Sequence, residues 1–256
     1  MEVQLITSLQ QRRPLVLAVT NFITAGAVAN CLSAAGMSPL MPSDPAEAAE
    51  LVALADAVVV NIGSVGAEQA ALLRAVVTAA RQLKKPLVLD PVAVGASQAR
   101  RQLITELLAG PVTLIRGNAS EIAVLAGATS HGHGIDAGAE SNLAQVAAAC
   151  AKRHACLVVL SGPVDYVSDG QHTKALPGGS PLMPKVVGTG DMLSAFLAGC
   201  LTLPMAPLTA AELGTAYFGQ AGAQADDGQL GHWLSNFLTV LAQAPHDFGK
   251  AVQTND

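Results

Sequence analysis

The sequence predicts an α/β fold: a buried, mostly parallel sheet flanked by helices. Two observations carry this. The chain of 256 residues is 51% hydrophobic but only 13% charged and 3% aromatic, with 47 alanines and 24 glycines. Soluble domains usually carry about 25% charged residues; small aliphatic side chains suit helices packed closely on a sheet buried on both faces. The second observation is order. Apolar runs of strand length alternate with longer helical patterns, the signature of βαβ units. This composition excludes a disordered chain, which needs low hydrophobicity and high charge. It disfavours a β-sandwich, which draws on aromatic and β-branched strands. With a net charge of −5 and a pI near 5.6, the chain has no basic footprint for nucleic acid. No repeat or linker divides it, so residues 1–256 read as one domain.

The elements follow in order. Residues 15–19 (LVLAV) read as the first strand and 25–35 as a helix. Ser43-Asp44-Pro45-Ala46-Glu47 opens a helix, with a capping residue, an early proline and an acid three positions after the cap. Residues 57–62 (AVVVNI) form a second strand, 68–83 a helix, and 86–90 (PLVLD) a third strand ending in an acid. A helix over 98–108, a fourth strand over 112–115 and a helix over 120–126 come next. Residues 129–138 (TSHGHGIDAG) are too rich in glycine for anything but a loop. Helix 143–153 and a fifth strand at 157–161 precede a hairpin over 164–174, turning at Asp169-Gly170. Three helices close the chain, near 189–203, 210–225 and 230–242.

The uncharged stretch 15–38 follows Arg12 and Arg13, a pattern shared by signal peptides and membrane spans. Thr20, Asn21, Thr24, Asn30 and Ser33 interrupt it, Gly26 and Gly36 break it, and asparagines are costly in an unpartnered span. A buried strand and helix are expected instead. Cys31, Cys150, Cys156 and Cys200 form no CxxC pair and read as reduced thiols of a cytoplasmic protein. Neither they nor the histidines have zinc-ligand spacing.

The sharpest chemical feature is Gly188-Thr189-Gly190-Asp191 ahead of an apolar helix. The turn leaves backbone N–H groups uncovered at the positive end of a helix dipole, which makes an anion cradle. An acid planted there would repel the anion; its use is to take a proton from a hydroxyl that attacks it. The plain alternative is a helix cap. Asp90 ends a strand where ligands of open α/β sheets bind. Arg116, Asn118 and Glu121 join a cation, an amide and an acid after the next strand, and Asn118 with Glu121 also spells a capping box. Asn21 and Ser161 end two further strands, so Asn21, Asp90, Arg116 and Ser161 read as one rim. Lys185, just upstream of Gly188, reads equally as a phosphate contact or a solvated lysine, while the scattered His131, His154, His172, His232 and His246 read as solvated or core-satisfied.

Together these stretches resemble the hydroxyethylthiazole kinase family, a thiamine-salvage branch of the ribokinase-like superfamily. The resemblance runs from Val16 to about Trp233. It is carried by Val19-Thr20-Asn21, Asn30, the string from Gly36 to Met41 (GMSPLM), Asp90-Pro91-Val92-Ala93-Val94-Gly95, Arg116-Gly117-Asn118-Ala119-Ser120-Glu121, the string from Asp165 to Gly170 (DYVSDG), and Val187-Gly188-Thr189-Gly190. It implies a ribokinase-like three-layer sandwich. It also implies ATP- and Mg²⁺-dependent phosphorylation of the hydroxyethyl group of 4-methyl-5-(2-hydroxyethyl)thiazole. The family works as a homotrimer with the thiazole pocket shared between subunits, which suits an apolar segment over 25–41 that a monomer would expose.

By position, the resemblance makes Asn21 and Met41 substrate contacts and Arg116 a ligand of the ATP phosphates. Ser161 takes a nucleotide-contacting hydroxyl position that is threonine in relatives. Gly188, Thr189 and Gly190 form the anion hole, Gly188 on its substrate side, and Asp90 and Glu121 are the acids near Mg²⁺. Two departures matter. Asp191 stands where thiazole kinases often carry cysteine and most ribokinase-like kinases carry aspartate, so the superfamily's general base sits in a thiazole-kinase frame. His133 stands where relatives often place Lys or Arg. Three other readings stay open: a ribokinase-like kinase for another alcohol, of hydroxymethylpyrimidine or pyridoxal type; a nucleotide-dependent NAD(P)H-hydrate dehydratase; and a non-catalytic binder.

Overall fold

The computed structural model describes residues 2–127 and 140–243. Its elements are α1 (Glu2–Arg12), β1 (Leu15–Val19), α2 (Ala25–Ala34), β2 (Ser38–Leu40), a 3-10 turn (Pro45–Glu47), α3 (Ala48–Leu54), β3 (Ala57–Asn61), α4 (Ala67–Gln82), β4 (Leu87–Asp90), α5 (Gln98–Leu107), β5 (Leu114–Asn118) and α6 (Ala119–Ala126). After them come α7 (Glu140–His154), β6 (Leu157–Ser161), β7 (Val164–Ser168), β8 (Thr173–Pro177), a second 3-10 turn (Met183–Lys185), α8 (Thr189–Cys200), α9 (Pro207–Gln224) and α10 (Leu230–Ala242).

The strands form one sheet in the order β2-β1-β3-β4-β5-β6-β7-β8. β2 through β6 are parallel, while β7 and β8 close the sheet as an antiparallel hairpin. Both faces are covered, which is why the strand runs are continuously apolar rather than alternating. Successive side chains still point to opposite faces. Val16, Ala18, Ala57, Val59 and Val88 enter one core with α1, α2, α8, α9 and α10, whereas Leu17, Val19, Val58, Val60 and Leu89 enter another with α3 to α7. The first core holds the aromatic stack of Phe196, Tyr217, Phe218, Trp233 and Phe237.

The α/β class and the mostly parallel sheet are as the sequence predicts. The capped start at Asp44 is present as a full capping box with Glu47, although a 3-10 turn comes before α3. The hairpin is present, with Asp169 Oδ1 accepting from the Gln171 and His172 amides. α1, the three-residue edge strand β2 and the 3-10 turn Met183–Lys185 are additions to the predicted elements. β5 lies two to three residues later than predicted, because Arg116-Gly117-Asn118 is held as strand by β6 in register (Arg116 against Val159, Asn118 against Ser161). α8 starts at Thr189 as expected but stops at Cys200, where a turn bonded from Thr202 Oγ1 to the Gly199 carbonyl leads to Pro204. Among the described residues no helix is long and apolar enough to cross a membrane. The loop predicted over 129–138, with His131 and His133, and His246 near the end of the chain lie outside the described residues.

Candidate active site

The parallel strands all end on one edge, and the polar residues gather there. Asn21 follows β1, Asn61 ends β3, Asp90 ends β4 opposite Asn61 in register, Arg116 and Asn118 close β5, and Ser161 ends β6. The N-terminus of α8 faces the same edge, because α8 packs on β1, β3 and β4. From Met192 to Cys200 that helix is wholly buried, so only its first turn is available to a ligand.

Asp191, in that first turn, is half-buried and held by three neutral donors. Its Oδ2 accepts from Asn21 Nδ2 at 2.9 Å and from Thr24 Oγ1 at 2.5 Å, and its Oδ1 accepts from Asn61 Nδ2 at 3.0 Å. Backbone groups fix which way each amide points. Asn21 Oδ1 accepts from the Ile23 and Thr24 amides, and Asn61 Oδ1 accepts from the Gly63 amide at 2.7 Å. With the carbonyl oxygens so occupied, the NH₂ groups must face Asp191.

Gly188 caps α8 at φ 94°, a left-handed conformation that favours glycine. A Cβ there would also lie 2.7 Å from Thr24 Cγ2. The Thr189 amide donates to the Val186 carbonyl, and the Met192 amide closes the first helical bond onto Gly188. The amides of Gly190 and Asp191 have no carbonyl four residues back in the helix to bond.

Asp90 is completely buried. Its Oδ2 accepts from Ser194 Oγ at 2.6 Å and lies 3.6 Å from Arg116 Nη1. Its Oδ1 and Arg116 Nε have no hydrogen-bond partner. Burial pushes the Asp90 carboxyl up to about 7; Arg116 and Ser194 pull it down, and the charges on Asp191 and Glu121 add to the push. Arg116 also donates to Ser161 Oγ, and its guanidinium lies so close to Gly190 that any Cβ there would collide with it. Glu121 is a double cap: Oε1 accepts from the Ala93 amide and Oε2 from the Asn118 amide, while Asn118 caps α6 in return. Ala93 sits at φ 54°, a strained conformation that the Glu121 bond helps hold.

Asp90, Arg116, Ser161 and the first turn of α8 thus form one bonded network, with Asn21 joined to it through Asp191. Met41 lies just beyond β2, half-buried against the first core. Lys185 is exposed, and Cys200 is buried at the far end of α8. The sequence reading missed Thr24, Asn61 and Ser194. Asn61 carried a signal, a polar residue closing an otherwise apolar strand. Thr24, 167 residues from its partner, carried none.

A divalent cation can be tested against these residues. Among the described residues no three His, Cys, Asp or Glu side chains are arranged to hold a metal by themselves. Asp90 nevertheless offers a hard oxygen with no partner. Magnesium keeps several waters and is usually bound by one or two carboxylates plus substrate phosphates. The residues fit such an ion, with Asp90 as its carboxylate, and do not fit one caged by protein alone.

Residues 6–247 match the model of the hydroxyethylthiazole kinase family. The chain is 44% identical over 237 residues to a hydroxyethylthiazole kinase of Klebsiella pneumoniae, covering 92% of each. Its structure is similar to that of the hydroxyethylthiazole kinase protein of Pyrococcus horikoshii, with a TM-score of 0.86 at 32% identity over 94% of this chain and 92% of that one. At 16% identity, a ribokinase-like superfamily protein from Enterococcus faecalis shares the fold, with a TM-score of 0.62 over 91% of this chain and 88% of that one.

Proposed function

The chain belongs to the hydroxyethylthiazole kinase family, and on that premise we propose that it moves the γ-phosphoryl group of ATP to the primary alcohol of 4-methyl-5-(2-hydroxyethyl)thiazole, serving thiamine biosynthesis. The observation that supports this most is the pairing of a bonded carboxylate, Asp191, with a helix N-terminus that carries the Arg116 guanidinium against it.

Phosphoryl transfer has a loose transition state, so the protein chiefly positions groups and balances charge. The Gly190 and Asp191 amides and the dipole of α8 receive the transferring phosphoryl oxygens. Gly188, with no side chain, leaves room on the alcohol's side. Asp191 accepts the alcohol's proton as the new O–P bond forms and the bond between the γ-phosphorus and the bridging oxygen breaks, releasing ADP. Arg116, kept in place by Ser161, makes charge-assisted bonds to the phosphates. Mg²⁺ bound with ATP supplies further neutralisation of phosphate charge. Asp90 would hold it, and Glu121 contributes negative charge nearby while its oxygens secure the two strand-end loops.

Asn21 and Met41 remain on the substrate side of this reading, Asn21 through its hold on the base. The same reading makes the assembly a homotrimer and the compartment cytoplasmic. The large exposed apolar side chains Phe22 and Ile23, next to Asn21, support the first, and four free thiols support the second. A coupled ADP-release assay over a panel of alcohols tests the activity: turnover is expected with the thiazole alcohol above hydroxymethylpyrimidine and pyridoxal. Conversion of hydrated NADH with no alcohol phosphorylated would overturn it. Sedimentation velocity should show a trimer; a stable, active monomer at micromolar concentration would contradict the assembly.

A further inference from the structure

We infer that Asn21, Thr24 and Asn61 are positioning residues that select which oxygen of Asp191 receives the alcohol's proton. An ionised carboxylate has about four lone-pair positions, two on each oxygen. Oδ2 already accepts two hydrogen bonds, from Asn21 and Thr24, and is full. Oδ1 accepts one, from Asn61, and keeps one position open. Because Asp191 is only half-buried while Asn21, Thr24 and Asn61 are buried, the open position is the one left to a ligand. The proton therefore goes to Oδ1.

The construction is specific to neutral donors. A lysine or arginine in their place would pair with the carboxylate and compete with the alcohol for it. Two amides and a hydroxyl fix its plane and leave its charge in place. The donors are themselves locked. Gly63 allows the two amides to approach, since a Cβ there would lie 2.9 Å from Asn61 Oδ1 and 3.1 Å from Asn21 Nδ2. Thr24 contributes twice: its hydroxyl binds Asp191, while its methyl group packs in the space that Gly188 leaves free.

This inference rests on the general-base reading of Asp191, and the test separates the two. Thr24→Val keeps the shape and removes only the hydroxyl; Thr24→Ser keeps the hydroxyl. Losing one hydrogen bond to a charged group should lower kcat by about tenfold to a hundredfold in Thr24→Val. The KM for ATP should be unchanged, and Thr24→Ser should stay near the parent. In a D191N background, Thr24→Val should cause no further loss, because positioning residues act only through the carboxylate. Equal losses in both backgrounds, or a Thr24→Ser variant as slow as Thr24→Val, would mean ordinary packing and overturn the proposal. A Thr24→Val variant with parental kcat would overturn it too. If Thr24→Val fails to fold, Asn61→Asp, which keeps the acceptor for Gly63 but turns an acceptor toward Asp191, should give the same background-dependent loss. A D191N variant as fast as the parent would instead reject the base reading itself.

Discussion

Asp90 and Asp191 stand at the same edge of the sheet in surroundings of opposite kind. Asp191 is half-buried and bonded by three neutral side chains, the two amides among them locked by neighbouring backbone. Asp90 is completely buried, with one hydroxyl, one guanidinium at 3.6 Å and one oxygen with no partner. Buried polar atoms are almost always satisfied, yet Asp90 Oδ1 and Arg116 Nε are both left without a partner. Neutral donors that fix a carboxylate without cancelling its charge leave it ready to take a proton. Asp90 is instead pushed up to about 7 by burial, with Arg116 and Ser194 pulling it down. On the proposed reading, one residue type serves two roles, separated by environment.

Removing the one cation from the buried network is the harshest way to break this contrast. Arg116→Ala strands Asp90 without an opposite charge and should cost about 3–5 kcal/mol of stability, or roughly 10 °C in Tm, and raise the KM for ATP more than that for the alcohol. Adding Asp90→Asn to Arg116→Ala should return much of the lost Tm; no recovery would mean that Arg116 stabilises by packing alone. Ser194→Ala deletes the only side-chain hydrogen bond to Asp90 among the described residues and should cost about 1.5–3 kcal/mol, with scanning calorimetry as the check.

Asp165 gives a third point on the same scale. Burial pushes its carboxyl up to about 6, with the Gly162 amide and Arg116 pulling it down. A folded value above the unfolded one means that the folded chain binds the extra proton. Its stability contribution is full below about pH 4 and is lost as pH rises through about 6, at up to roughly 1.4 kcal/mol per pH unit. Asp90 acts with the same sign, so urea titrations of Asp165→Asn between pH 4 and 6 should show a shallower slope, not a flat one. Glu121→Gln is the mildest change. A glutamine oxygen replaces one of two acceptors and an NH₂ then faces a donor, so about 1 kcal/mol should be lost, without the collapse of ATP binding expected from Arg116→Ala.

The architecture was legible because the sheet is buried on both faces, so β1, β3, β4 and β6 each read as an uninterrupted apolar run. β2 was not, since a three-residue edge strand containing Pro39 has no pattern to detect. α1 left a trace in Leu5, Ile6 and Leu9, all buried in the first core, within a segment that apart from Val3 is otherwise polar. At the site, sequence singled out the residues at strand and helix ends, where chemistry and position coincide. It read Asn118 and Glu121 as a possible capping box, and the bonds of that box are present. It could not read Thr24 against Asp191 or Ser194 against Asp90, because those pairs are made by tertiary packing across more than a hundred residues.

The division of labour between the two aspartates is tested most directly by measuring single-turnover phosphoryl transfer and MgATP affinity for Asp191→Asn and Asp90→Asn beside the parent. Asp191→Asn should slow the transfer step by about 10²–10⁴ with MgATP affinity unchanged, whereas Asp90→Asn should lose MgATP affinity. Equal loss of rate and affinity in both variants, or transfer at the parental rate in Asp191→Asn, would contradict it.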